Sequence, residues 1–86
     1  MLKTGNQIKA ARALTDLNQQ QLAGLAGVNV NTIRAMESRG NETLVSGLDT
    51  VTKVQQALEG AGITFIPENG GGAGVRLSKP KAGGSE

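Results

Sequence analysis

The sequence predicts a mainly α fold, four short helices followed by a C-terminal β-hairpin. Three observations carry this. Apolar residues recur at helical spacing in four segments, and each segment opens on a residue able to cap a helix: Thr4, Asn18, Asn29 or Ser46. After residue 62 the composition shifts abruptly to strand formers and glycine. Finally, 86 residues suffice for one small domain whose core provides only modest stability.

The first helix spans Thr4 to Leu14. Thr4 and Gln7 have capping-box spacing, and Ile8, Ala11 and Leu14 repeat along one side that should be core. Asn18 and Gln21 have the same spacing at the start of the second helix. Gly27 ends it, since glycine adopts the left-handed conformation without a Cβ clash, and Val28 seals the joint against the core. Asn29 caps the third helix, so two short helices meet across a tight turn at a steep angle. Ile33 and Met36 share the inner face of the third helix, with Asn31, Arg34, Ala35 and Ser38 on the outer one. Gly40 and Asn41 stop this helix near Ser38 or Arg39.

The longest helix runs from Ser46 to Gly60, with Ser46 as cap, Asp49 in the first turn and Leu48, Val51, Val54 and Leu58 as its buried stripe. Gly60 and Gly62 stop it. Leu2, Leu17, Leu22, Leu25, Ile33, Met36 and Leu44 complete a four-helix core without an aromatic residue. Residues 1–61 therefore form the helical domain, 62–78 a hairpin extension and 79–86 a disordered tail. The hairpin pairs Ile63 to Pro67 with Val75 to Leu77 across a glycine run. A lone hairpin is marginal in water, so two copies are expected to pair edge to edge, burying Ile63, Phe65, Ile66, Val75 and Leu77 as a dimerisation element.

Composition narrows the function. With no Cys and no His, the chain has neither disulfides nor an ordinary zinc set, and no neutral-pH base; no cofactor, no metal and no enzymatic activity are expected. The glycine run precedes no helix and lacks a Gly-Lys-Ser/Thr ending, which removes the anion site of nucleotide-binding loops. No apolar run approaches a membrane span and nothing resembles a signal peptide, so a cytoplasmic protein is expected. The net charge of +2 is small but polarised. Residues 1–39 carry +3, residues 40–70 carry −3 and residues 71–86 carry +2, which presents the N-terminal half to phosphates.

The outer face of the third helix suits close approach to base edges. Asn pairs bidentately with adenine, Arg with guanine or phosphate, and a Val or Ala methyl touches thymine. A merely solvated helix face carries such residues as well. Gln19, Leu22, Ala23, Gly27, Val28, Thr32, Ile33 and Glu37 occupy the spacing of the motif in Cro and C1-type phage repressors and related bacterial regulators. Over residues 4 to 60 the chain thus resembles a Cro/C1-type helix-turn-helix domain of the XRE family, in the subgroup whose C-terminal extension is glycine-rich. The resemblance implies that Val30, Asn31, Arg34 and Ala35 face the major groove and that Gln19 braces the motif on a phosphate. Asn29 and Thr32 would join it on the DNA backbone, with Ser38, Arg39, Asn41 and Thr43 from the following loop. It also implies a largely buried ion pair between Arg12 and Glu37, fixing the third helix against the first. Many family members place a basic residue where Thr43 stands, so backbone contact should be weak.

The expected function is sequence-specific binding of double-stranded DNA by a homodimer that represses, or otherwise regulates, transcription at an inverted-repeat operator, as in phages, prophages or integrative elements. The alternative is a helix-turn-helix module that binds another protein, as an antitoxin or antiactivator.

Overall fold

The computed structural model describes residues 1–67 and 70–78. Helices α1 (Gly5–Thr15), α2 (Gln19–Ala26), α3 (Val30–Glu37) and α4 (Leu48–Gly60) are followed by strands β1 (Ile63–Ile66) and β2 (Gly74–Leu77). The strands form one antiparallel pair, with Ile63 opposite Leu77 and Phe65 opposite Val75. The result is mainly α, with a short two-stranded sheet at its C-terminal end. The expected tail, residues 79–86, lies outside the described residues.

Local signals place most helix ends. Both capping boxes form: the Thr4 hydroxyl accepts from Gln7 N and the Asn18 carbonyl from Gln21 N, while each glutamine reaches back to its cap. Gly27 ends α2 at φ 73°, in the left-handed region where a side chain would be strained. Val28 N then bonds Ala23 O at 3.0 Å, and its side chain packs on the core. Asp16 ends α1 at φ 60°, a conformation that Asp tolerates better than most residues.

The largest fully buried side chains are Ile8, Leu22, Ile33, Met36, Val54 and Leu58. Leu17 and Leu44 are half-buried against this core, and three expected core residues are exposed. Leu14 is 44 % exposed, because each three-residue step slips about 60° around a helix and two steps carry it off the face of Ile8. Leu25 is 61 % exposed, lying to one side of the buried face of Leu22, Ala23 and Ala26. Leu48 is 72 % exposed at the first position of α4, off the stripe of Val51, Val54 and Leu58. The cap of α4 is also corrected, from Ser46 to Gly47, which makes no side-chain capping bond.

The hairpin closes the core. Ile63 and Phe65 lie inside it among the helical residues, so the core does contain an aromatic ring and these two side chains are not free to bury against a second copy. The strands fold back onto the helices instead, β2 against α1 and β1 against α4. Gln7 Nε2 fastens the arrangement by donating to Gly74 O at 3.2 Å. Of the other expected dimerisation residues, Ile66 and Val75 are half-buried and Leu77 is exposed. Among the described residues no helix is long and apolar enough to cross a membrane.

Truncating Phe65 tests this placement. Phe65→Ala should destabilise the chain by about 3–5 kcal/mol. Urea unfolding should give the same loss at all protein concentrations; a loss that grew on dilution would place the ring at an interface between copies.

Candidate nucleic-acid interface

Helix α3 presents one face outward and is held firmly by the other. Ile33 and Met36 are buried, and Glu37 on the same side is only 3 % exposed. A carboxylate so far out of water needs donors, and three reach it. Arg12 Nε donates to Glu37 Oε2 at 2.6 Å and Arg12 Nη2 to Oε1 at 2.9 Å, the forked geometry that makes Arg–carboxylate pairs strong. Gln19 Nε2 donates to Oε1 at 2.9 Å. Arg12 Nη1 also donates to Leu17 O at 3.1 Å, tying in the link between α1 and α2. The hydrogen bond to Glu37 raises the Arg12 pKa above its already high ordinary value, against the opposing effect of burial and with the added attraction of the Glu37 charge, so the guanidinium stays charged at every working pH.

A second contact, not evident from spacing, sets the distance between α1 and α3. A Cβ added at Gly5 would lie 2.8 Å from Glu37 O and 2.9 Å from Glu37 Cα, too close for any side chain. The available signal was a glycine straight after the Thr4 cap, a poor helix former in a first turn. The chain leaving α3 then returns to the start of α1. Asn6 N donates to Gly40 O at 3.0 Å, Leu44 N to Lys3 O at 2.9 Å, and Thr43 forms an isolated bridge with Thr4.

On the outer face Asn31, Arg34, Ala35 and Ser38 are exposed together, as the helical phase predicts. Arg34 Nη1 donates to Asn31 Oδ1 at 2.9 Å. Val30 behaves differently: it is half-buried and packed against the core, which draws most of its surface away from the outer face.

The residues expected on the DNA backbone divide into several situations. Asn29 caps α3, its Oδ1 accepting from Asn31 N at 2.7 Å, and Thr32 is half-buried. Gln19 turns its amide toward Glu37 and keeps one amide hydrogen for another acceptor. Ser38 Oγ donates to Ala35 O at 2.7 Å. Arg39 Nη2 donates to Thr43 O at 3.1 Å and lies 3.5 Å from Glu42, while its buried Nε has no partner. Asn41 Oδ1 accepts from Asn6 Nδ2 at 2.8 Å, an unforeseen neighbour that adds a second exposed amide to this loop. No three His, Cys, Asp or Glu side chains converge among the described residues. The surface is rich in hydrogen-bonding side chains.

No family model matches this chain, and no curated protein matches it.

Two substitutions probe the seat of α3. Glu37→Ala leaves the Arg12 charge half-buried without its partner and should cost about 3 kcal/mol in chemical denaturation, at the low end because water still reaches Arg12. Gly5→Ala should cost about 1–3 kcal/mol by forcing α1 away from α3. A neutral Gly5→Ala would show that the two backbones are not in contact.

Proposed function

We propose that this protein binds double-stranded DNA sequence-specifically, as a homodimer that regulates transcription, most simply as a repressor. The observation that carries the reading is the outer face of α3: Asn31, Arg34, Ala35 and Ser38 exposed side by side, without a carboxylate, on a helix whose inner face is buried. Such a helix can enter the major groove without repelling phosphates, and its polar groups match base edges. The excess of cations over residues 1–39 supports the same orientation. So does the likeness of residues 4 to 60 to Cro/C1-type regulators of the XRE family.

Each subunit would place α3 in one half-site, with the two helices about 34 Å apart and the half-sites one helical turn apart. Occupying promoter DNA in this way blocks transcription. Ile63 and Phe65 are committed to the core. A second copy would therefore use apolar groups that remain at the surface, among them Leu77, Val45 and Leu48.

Those same groups favour the second reading, a module that binds another protein. Selection of duplexes from a random library separates the two. An enriched inverted repeat, with affinity lost in Asn31→Ala and Arg34→Ala, supports the proposal; no enrichment by folded protein favours protein binding. Because few cations flank the face, the logarithm of affinity should fall with the logarithm of salt at a slope shallower than about −5, below that of strongly basic repressors.

A further inference from the structure

The two polar groups at the centre of the outer face of α3 are bonded to each other, one turn apart. Arg34 Nη1 donates to Asn31 Oδ1 at 2.9 Å, with both side chains exposed. This bond changes what Asn31 can recognise. An unengaged asparagine amide offers an acceptor beside a donor, the combination that fits N6 and N7 of adenine. Once the guanidinium holds its oxygen, one of that oxygen's two lone pairs is occupied, and the amide offers its N–H groups against a single remaining acceptor site.

Arg34 has no acceptor of its own, and after the shared bond it retains the Nε hydrogen, one Nη1 hydrogen and both Nη2 hydrogens. Ala35 beside the pair adds a methyl group and no acceptor. The unit formed by Asn31 and Arg34 is therefore dominated by donors. Among the four bases, guanine alone places two adjacent acceptors, O6 and N7, on its major-groove edge. Adenine sets an amino group beside N7, cytosine presents a donor, and thymine gives a single acceptor next to a methyl group.

Resting on the reading of α3 as a DNA-binding helix, we infer that Asn31 and Arg34 act as one donor-rich unit, with Arg34 as its reading group, that selects a guanine in each half-site. Arg34 donates to O6 and N7. Asn31 is a positioning residue: its carbonyl holds the guanidinium before DNA arrives, so less side-chain freedom is lost on contact. The pairing of Asn31 with adenine, which the residue type alone suggests, would have to share the carbonyl oxygen with Arg34.

The test uses the full chain and the best duplex from selection, titrated at equilibrium. The expected half-site contains one guanine whose replacement by 7-deazaguanine, which lacks the N7 acceptor, weakens binding about 5- to 150-fold. Arg34→Ala should erase that sensitivity. Asn31→Ala should weaken binding in the unmodified chain but change it by less than about twofold when Arg34→Ala is already present, because its role acts through Arg34. Both side chains lie outside the core, and an unchanged far-ultraviolet circular dichroism spectrum verifies that the variants fold. Additive losses, or a preferred adenine whose selection depends on Asn31, would overturn the inference and leave the DNA-binding reading standing. Absence of any enriched duplex would instead remove the reading on which it rests.

Discussion

The carboxylate of Glu37 sits where three helices meet, and the placement of α3 depends on it. Arg12 brings a donor fork from α1, Gln19 an amide from α2, and the backbone of Glu37 itself passes against Gly5. A buried carboxylate is unfavourable unless its lone pairs are met, and here three donated hydrogen bonds meet them. The pair therefore specifies one angle and one depth for α3 more sharply than apolar contacts alone would. Ile33 and Met36 supply the burial, which is non-directional; Glu37 supplies the direction.

That arrangement ties the buried network to the outer surface. Gln19 is oriented by Glu37, so a phosphate meeting its remaining amide hydrogen would sense the ion pair through one side chain. The loop after α3 is equally committed, lying along the first residues of α1 through Asn6, Lys3 and Thr4. A shift of α3 would disturb the capped start of α1 together with its own exposed face.

The hairpin answers a deficiency in the helices. Four short helices without Trp or Tyr have few large side chains with which to fill a core, and the one Phe of the chain lies in β1. Folding β1 and β2 back onto α1 and α4 places Phe65 beside the helical leucines and gives Gln7 a backbone acceptor in Gly74. This removes most of the hairpin's apolar area from competition for a partner. Any self-association must draw on groups that stay exposed, such as Leu77 at the end of the hairpin and Val45 and Leu48 near the start of α4.

Much of the local structure was legible because it depends on neighbours within four residues. Thr4 with Gln7, Asn18 with Gln21, Gly27 and Asn29 each contain in their own chemistry the instruction to start or end a helix. The face shared by Asn31, Arg34, Ala35 and Ser38 follows from helical phase alone. The pairing of Arg12 with Glu37 came from resemblance, not from spacing, since nothing local brings residues on α1 and α3 together. The exposure of Leu14 follows from helical phase, but that of Leu25 and Leu48 was hidden, because hydrophobicity shows what a residue prefers and not whether a neighbour reaches it.

By itself, then, the sequence determined the helices, most of their ends and the polar character of the outer face of α3, all matters of short-range hydrogen bonding and periodicity. Only the tertiary structure decided that the hairpin joins the core, that Val30 packs inward, that Gly5 admits the backbone of α3, and that Arg34 engages Asn31. The first and third depend on segments far apart in the chain, whose packing is a sum over many weak contacts. The second depends on how deeply a helix is seated, and the fourth on one rotamer among several. The first three are not encoded in any single short stretch of residues.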